Sequence, residues 1–384
     1  MADILTAEQQ AAVENRGRSL LVSAAAGSGK TKVLVERLFS YVESGEANLD
    51  DFLIITYTRA AAAELRGKIA KVLGEKLQED PLNAHLQRQL LRVYRADSWQ
   101  RERLLSALDH AMQDCPDVSF VYGVLPHKTD ALPERTAPYL DSRIGTENRQ
   151  TLEAAMEERL PGLLAVDVAG EFLTNYSASE RESFYFKTDF HWNPRGAFVA
   201  SADLAAAMQE NGLLDGVVLP AAEDFAWQDL DCPYRGDLNR RFSYLFSMQE
   251  EIPYYSIRET SELQYYDAKD VEVPRESIWA RGLQSGEEMQ YNLLSTENLG
   301  FYRICNPNAR SARRVLILKD SMEDPMTDYW AELFSEIIVI DPRSYLREES
   351  LPELVAEYDI DMALFLYHQN NLSEELIDFL NRGE

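Results

Sequence analysis

The chain has 384 residues, enough for two or three domains that each bury a core. Its formal net charge of -27 lies wholly beyond residue 97: residues 1–97 hold 13 acidic and 13 basic side chains, and the remaining 287 hold 52 and 25. So acidic a C-terminal part is a poor general binder of phosphate backbones, the neutral N-terminal part carries no such objection, and the break in balance predicts a boundary near residue 97.

Cys115, Cys232 and Cys305 are widely spaced, so neither a zinc cluster nor a disulfide framework is expected. MADILTAEQQ has no basic segment leading into an apolar core, and no stretch approaches eighteen uninterrupted apolar residues. A cytoplasmic protein without a membrane span is the expectation, with oligomeric state left open.

In chain order, LLVS (20–23) is predicted as a buried strand and 30–42 as a helix with apolar residues at helical spacing. FLIIT (52–56) is the next strand, followed by an alanine-rich helix over 59–77 and another over 81–94. Alternating strand and helix opens a parallel α/β sheet. The second part starts with a helix over 101–112 and a strand over 118–125, after which Pro126, Pro133 and Pro138 break regularity. A helix over 147–159, a strand over 163–168 and a helix over 194–208 follow. Residues 215–310 are aromatic-rich and irregular, and read as an insertion or lid of short strands. Beyond Arg314, strands VLIL, EIIVID (336–341) and MALFLY (362–367) alternate with helices in a second parallel pattern.

Residues 24–31 form Ala24-x4-Gly29-Lys30-Thr31, a phosphate-binding loop with alanine at its first position: Ala24, Ala25, Ala26, Gly27, Ser28, Gly29, Lys30 and Thr31. Gly27 and Gly29 would let backbone N–H groups turn inward, Lys30 would bridge the β- and γ-phosphates of ATP, and Thr31 would ligate Mg2+. The positive end of the following helix favours the same anion.

LTAEQQAAV, then LLVSAAAGSGKTKVLVERL, then ITYTRAAAAELRGKI resemble the start of a superfamily 1, UvrD-like DNA helicase, in particular the AddA-type helicase–nuclease of AddAB repair complexes. The resemblance implies that Gln9 reads the adenine edge and that Arg37 lies near the nucleotide. It also implies that Thr56, Tyr57, Thr58 and Arg59 contact single-stranded DNA, a task for which Tyr57 has a suitable aromatic face. The match continues through NAHLQRQLLRVYRADS and ends near Ser98. The family's later magnesium-holding acidic motif and its arginine finger are not found, so ATP binding is expected and ATP-driven unwinding is not.

A different chemistry follows. FYFKTDFHWNPRGA sets Asp189 and His191 two residues apart before a helix, and Ser321 follows the strand VLIL. A carboxylate fixing an imidazole's tautomer, with that imidazole taking a serine's proton, is the arrangement of nucleophilic acyl transfer. Asp320 and Ser321 are equally ordinary helix caps, and a lone His191 beside Trp192 is more often structural.

With FVYGVLPHKTD, YRGDLNRRF, RRVLILKDSMEDP and FSEIIVIDPRSYL, residues 99–384 resemble the DHHW family, relatives of the alginate O-acetyltransferase-like SGNH hydrolases. The resemblance implies Ser321 as nucleophile, His191 as base and Asp189 as its orienting partner. It further implies a polysaccharide substrate and, by the habit of such relatives, an exported protein. Phe190 stands where the family often has a second histidine, and Lys319-Asp320-Ser321 replaces the wider superfamily's Gly-Asp-Ser. Arg343, Asn370 and Lys128 are candidate oxyanion donors.

The expected fold is thus α/β in two modules. An incomplete P-loop parallel sheet (1–98) precedes an SGNH-like domain (99–384) with an irregular insertion (215–310). Two other readings stay open: a DNA-repair helicase/nuclease component with a regulatory C-terminal module, and a fusion to a catalytically silent carbohydrate-binding domain.

Overall fold

A computed structural model describes the chain except for residues 1–4, 17–19, 21–28, 53, 55–58, 81–82, 84, 87–88, 90–97, 136–142, 231–233, 235, 237–249, 251, 259–261, 279–290, 292–298, 369–372 and 383–384. The chain divides into two compact units, the first Met1–Arg95 with Ala137–Asp141, the second Ala96–Thr136 with Ser142–Glu384.

In the first unit, Thr6 caps helix α1 (Ala7–Glu14) through a reciprocal box: its hydroxyl accepts the Gln9 N–H, and the Gln9 side-chain oxygen accepts the Thr6 N–H. Helix α2 (Lys30–Glu43) starts at Gly29, whose φ of 80° is a left-handed conformation that favours glycine. Its buried face, Val35, Leu38, Phe39 and Val42, packs on Leu65, Ile69 and Leu73 of helix α3 (Arg59–Glu79). The two expected strands, LLVS and FLIIT, fall largely outside the described residues, as does most of the helix expected over 81–94.

The second unit is built on one eight-stranded sheet. Its strands are β1 (Ser119–Leu125), β2 (Leu163–Asp167), β5 (Gln264–Tyr266), β6 (Glu272–Val273), β7 (Phe301–Cys305), β8 (Ser311–Lys319), β9 (Phe334–Ile340) and β10 (Met362–His368). The spatial order is β2-β1-β10-β8-β9-β7-β5-β6, with the first five parallel and the last three antiparallel. The parallel strands are buried on both faces, which is why they read as unbroken apolar runs. On β10, Met362, Leu364 and Leu366 enter one core, and Ala363, Phe365 and Tyr367 enter the other.

Helices α4 (Ser98–Asp114) and α6 (Arg143–Arg159) cover one face, with α11 (Leu351–Tyr358) and α12 (Glu374–Leu380). The other face carries α7 (Val168–Asn175), α9 (Pro194–Glu210) and α10 (Thr327–Leu333). The short α5 (Lys128–Ala131) and α8 (Ala178–Ser183) lie in the connections.

Residues 215–310 are not wholly an insertion. Strands β3 (Phe225–Leu230) and β4 (Ile252–Ile257) form a separate antiparallel pair, but β5, β6 and β7 extend the main sheet, β7 pairing along β9. These strands are short, and the partner that orders them lies later in the chain, so no local periodicity announces them. Helices α7 and α8 lie outside the elements expected from the sequence; they are short and depend on their caps, Asp167 and Ser177. Among the described residues no helix is long and apolar enough to cross a membrane, and no group of histidine, cysteine and acidic side chains could hold a metal ion. Cys115 and Cys305 are free thiols, and Cys232 lies outside the described residues.

Candidate active site

In the second unit, the C-terminal ends of β1, β8 and β10 converge, which is where open α/β sheets carry their sites. The turn after β8 presents Ser321. Asp320 anchors it: one carboxylate oxygen accepts the Met322 N–H at 2.9 Å and the other accepts the His368 N–H at 2.8 Å, joining the turn to the end of β10. The backbone N–H of Asp320 also donates to the Leu366 carbonyl at 3.2 Å. Asp320 is therefore more than a local cap.

His191 comes from the loop before α9, whose N-cap Asn193 accepts the N–H groups of Arg195 and Gly196 at 3.0 and 3.1 Å. The His191 Nε2 lies 3.1 Å from the Ser321 Oγ, and Nδ1 lies 2.8 Å from Asp189 Oδ1. The structure thus brings together the three predicted residues, 130 positions apart at the serine step. The Asp189 carboxylate is buried and also accepts the Tyr234 hydroxyl at 2.7 Å and the His191 N–H at 3.1 Å. With both oxygens engaged, it holds the imidazole with Nε2 turned to the serine.

Three aromatic residues add to this frame. The Trp192 indole N–H donates to the Met322 carbonyl at 2.8 Å, tying the histidine loop to the serine turn. Tyr291 stacks on the His191 ring with centroids 3.7 Å apart and planes 13° from parallel. Phe190 packs beside His191 at 3.9 Å and across from His127 at 6.2 Å. Burial and then the neighbouring His191 push the His368 imidazole down to about 4, so near neutral pH it adds no charge beside the base.

The sequence does not point to Tyr234, Tyr291 or the Trp192 contact. YRGDLNRRF carries part of the family likeness, but nothing local says that its tyrosine meets Asp189.

The candidate oxyanion donors fare differently. Lys128 donates to the carbonyls of Phe186, Lys187 and Asp189, so its ammonium braces the loop rather than facing Ser321; burial lowers its pKa. Arg343 is held in a two-pronged contact by the buried Asp341, Nε to Oδ1 at 2.8 Å and Nη2 to Oδ2 at 2.6 Å. Asn370 lies outside the described residues. Among the described residues no acceptor takes the Ser321 N–H, leaving that backbone donor beside the hydroxyl.

Gly236 gives a direct test of the loop. A Cβ there would sit 2.3 Å from the Thr188 carbonyl oxygen and 2.6 Å from the Asp189 nitrogen, both backbone atoms. Gly236→Ala is expected to displace Asp189 and to lower by about 10- to 100-fold any kcat that depends on the Asp189–His191–Ser321 arrangement, because small misplacements are costly in an oriented site. Steady-state hydrolysis of p-nitrophenyl acetate checks this, and a wild-type kcat would show that the close approach is not needed.

In the first unit, Lys30 and Thr31 open α2, and the Gln9 side-chain nitrogen lies 3.1 Å from where a Gly29 Cβ would stand. Arg37 reaches the end of α1, donating to the Ala12 carbonyl at 2.6 Å. Ala24, Ala25, Ala26, Gly27, Ser28, Thr56, Tyr57 and Thr58 lie outside the described residues; Arg59 begins α3.

Comparison with known proteins finds two families, whose matches overlap over residues 86–111. Residues 5–111 match the family described as UvrD/REP helicase N-terminal domain, and residues 86–271 match the SGNH hydrolase-like domain, acetyltransferase AlgX. The helicase match runs past the expected end near Ser98 into α4, which belongs to the second unit. The second match includes Asp189, His191 and Tyr234 but not Ser321, whose assignment rests on geometry.

The chain is 48% identical over 93 residues to the A-type component of the ATP-dependent helicase/nuclease of Lachnoclostridium phytofermentans, covering 24% of this chain and 7% of that protein. It is 49% identical over 88 residues to the same component from Clostridioides difficile, covering 22% and 7%. The chain therefore spans less than a tenth of these relatives.

Among solved structures, Bacillus cereus PatB1 aligns with a TM-score of 0.64 at 22% identity, covering 74% of this chain and 94% of that one. PatB1 with a sulfonyl adduct gives 0.63 at 22% identity, covering 73% and 91%. A DHHW family protein from Eubacterium siraeum gives 0.56 at 18% identity, covering 74% and 89%. A part similar to the UvrD/REP helicase N-terminal domain thus precedes a part similar to the SGNH hydrolase-like domain in one chain.

Proposed function

We propose that the second unit is a serine-dependent esterase or O-acetyltransferase acting on carbohydrate. The observation that carries this reading is the continuous hydrogen-bonded line Tyr234–Asp189–His191–Ser321. The Ser321 hydroxyl attacks the ester carbonyl while Nε2 of His191 takes its proton; the tetrahedral oxyanion faces the Ser321 N–H. Collapse expels the first alcohol, which receives the proton from His191. Water or a sugar hydroxyl then attacks the acyl-serine by the same steps in reverse. Acyl transfer is supported by the acetyltransferase family matched over residues 86–271, and the carbohydrate acceptor is proposed on the resemblance to alginate O-acetyltransferase-like proteins. Export follows the same analogy.

The direct test is a sulfonyl fluoride or fluorophosphonate probe on the full chain, with the labelled peptide identified by mass. Label on Ser321 is expected; label elsewhere, or none, defeats the proposal.

For the first unit, nucleotide binding is the supported reading, favoured by left-handed Gly29 at the start of α2 with the Gln9 amide against it. Lys30 would hold the phosphates of ATP and Thr31 its magnesium, which together would supply charge neutralisation. Lys30→Ala is expected to abolish binding of a fluorescent ATP analogue to the full chain, and unchanged affinity would remove this reading. Single-stranded DNA contact by 56–59 is a proposal on the helicase likeness alone. A repair helicase/nuclease would also require DNA-stimulated ATP hydrolysis; a rate flat with added DNA speaks against it.

A further inference from the structure

We propose that Lys319 is a positioning residue for Ser321, bracing the nucleophile's turn from the core side through paired acidic side chains. The inference rests on the reading of Ser321 as nucleophile. Lys319 is the last residue of β8, in the place where the wider SGNH pattern has glycine. It is fully buried, as are Glu323 and Asp324. Its ammonium pairs with Asp324 and lies 3.7 Å from the Glu323 carboxylate. Ser321 is thus enclosed in a short ring closed by the side chain of the residue two before it and the side chains of the residues two and three after it.

Further hydrogen bonds tie the ring to its surroundings. Within it, the Glu323 N–H donates to the Asp320 carbonyl at 3.3 Å and the Asp324 N–H to the Ser321 carbonyl at 3.4 Å. Below it, Glu323 accepts the Thr327 hydroxyl of α10 at 3.0 Å, and that hydroxyl meets the Tyr302 hydroxyl of β7 at 3.0 Å. On the other side, Asp320 fastens the same turn to β10. Among the described residues, none of the three charged side chains bonds the Ser321 hydroxyl, so their influence passes through the backbone.

A buried ion cluster adds little stability over apolar side chains of similar volume, because desolvation offsets the attraction. What it adds here is direction, since both carboxylates that meet the ammonium belong to the turn that carries the serine. Burial alone would lower the pKa of Lys319, but Asp324, Tyr302 and Glu323 more than reverse this, so the ammonium stays charged. Burial pushes the Glu323 carboxyl up to about 8 against the pull of Lys319. Burial raises the Asp324 carboxyl too, again against the pull of Lys319, so one ammonium serves two buried acids.

This pairing selects the test variant. Lys319→Met with Asp324→Asn removes the ammonium together with the carboxylate that it pairs with. In the full chain, kcat for p-nitrophenyl acetate is expected to fall by about 10- to 100-fold with KM unchanged, and the rate of fluorophosphonate labelling at Ser321 by the same factor. A folded double variant with wild-type kcat and labelling rate overturns the inference. If it does not fold, Asp324→Asn alone is measured: a kcat loss at unchanged KM supports the role, and a wild-type kcat overturns it. A wild-type chain that never labels at Ser321 removes the proposed function itself, an outcome separate from either.

Discussion

Ser321→Ala is expected to erase probe labelling and reduce p-nitrophenyl acetate hydrolysis by about 10³-fold or more, to the level left by His191→Ala. The reason is geometric. Ser321 is the hydroxyl at 3.1 Å from the His191 Nε2, and the nearby alternatives are engaged: the Thr188 hydroxyl with Glu250, the Thr327 hydroxyl with Glu323. Neither can take over without rebuilding the loop. The two variants should be equally poor, since members of one proton-transfer unit fail together rather than additively. Hydrolysis that persists in either, with label moved to another residue, would mean that the line of hydrogen bonds is structural.

Asp189→Asn is the second large effect, a loss of about 10³- to 10⁴-fold in kcat with the fold preserved. The carboxylate accepts from the His191 ring on one oxygen and from Tyr234 on the other. An amide can keep only part of this. If its oxygen stays toward His191, the charge that stabilises the imidazolium is lost. If its NH2 turns there instead, it donates to Nδ1 and leaves the proton on Nε2, which then cannot accept from serine. Thermal melting and the kcat value separate loss of function from loss of fold. A kcat within a few-fold of wild type would show that Asp189 does not orient the base.

Several elements are legible in the sequence. Helix α2 follows from the spacing of its apolar residues, α3 from its alanine-rich composition, and β8, β9 and β10 from continuous apolar runs between helices. The edge strands β5 to β7 are not, because their order depends on pairing with β9 rather than on their own pattern. Tyr234 escapes notice for a similar reason: an isolated tyrosine in an irregular segment has no signature until its hydroxyl is seen on Asp189. Lys319 is visible as a departure from Gly-Asp-Ser, but its meaning needs the burial of three ionisable groups around one turn.

By itself, the sequence determined what short-range spacing can determine. Gly29-Lys30-Thr31 at a helix start and Asp189 two residues before His191 are local arrangements, set by a few backbone dihedrals and by the side chains themselves. The charge break near residue 97 is likewise a property of composition. Ser321 is expected from the family resemblance, but only tertiary structure shows how its hydroxyl meets the imidazole and which side chains hold it there. Ser321 reaches His191 because β8 and β10 are parallel neighbours whose ends Asp320 joins, and because Trp192 ties the histidine loop to the serine turn. Those contacts are selected by burial and strand register across distant parts of the chain, which no local pattern encodes.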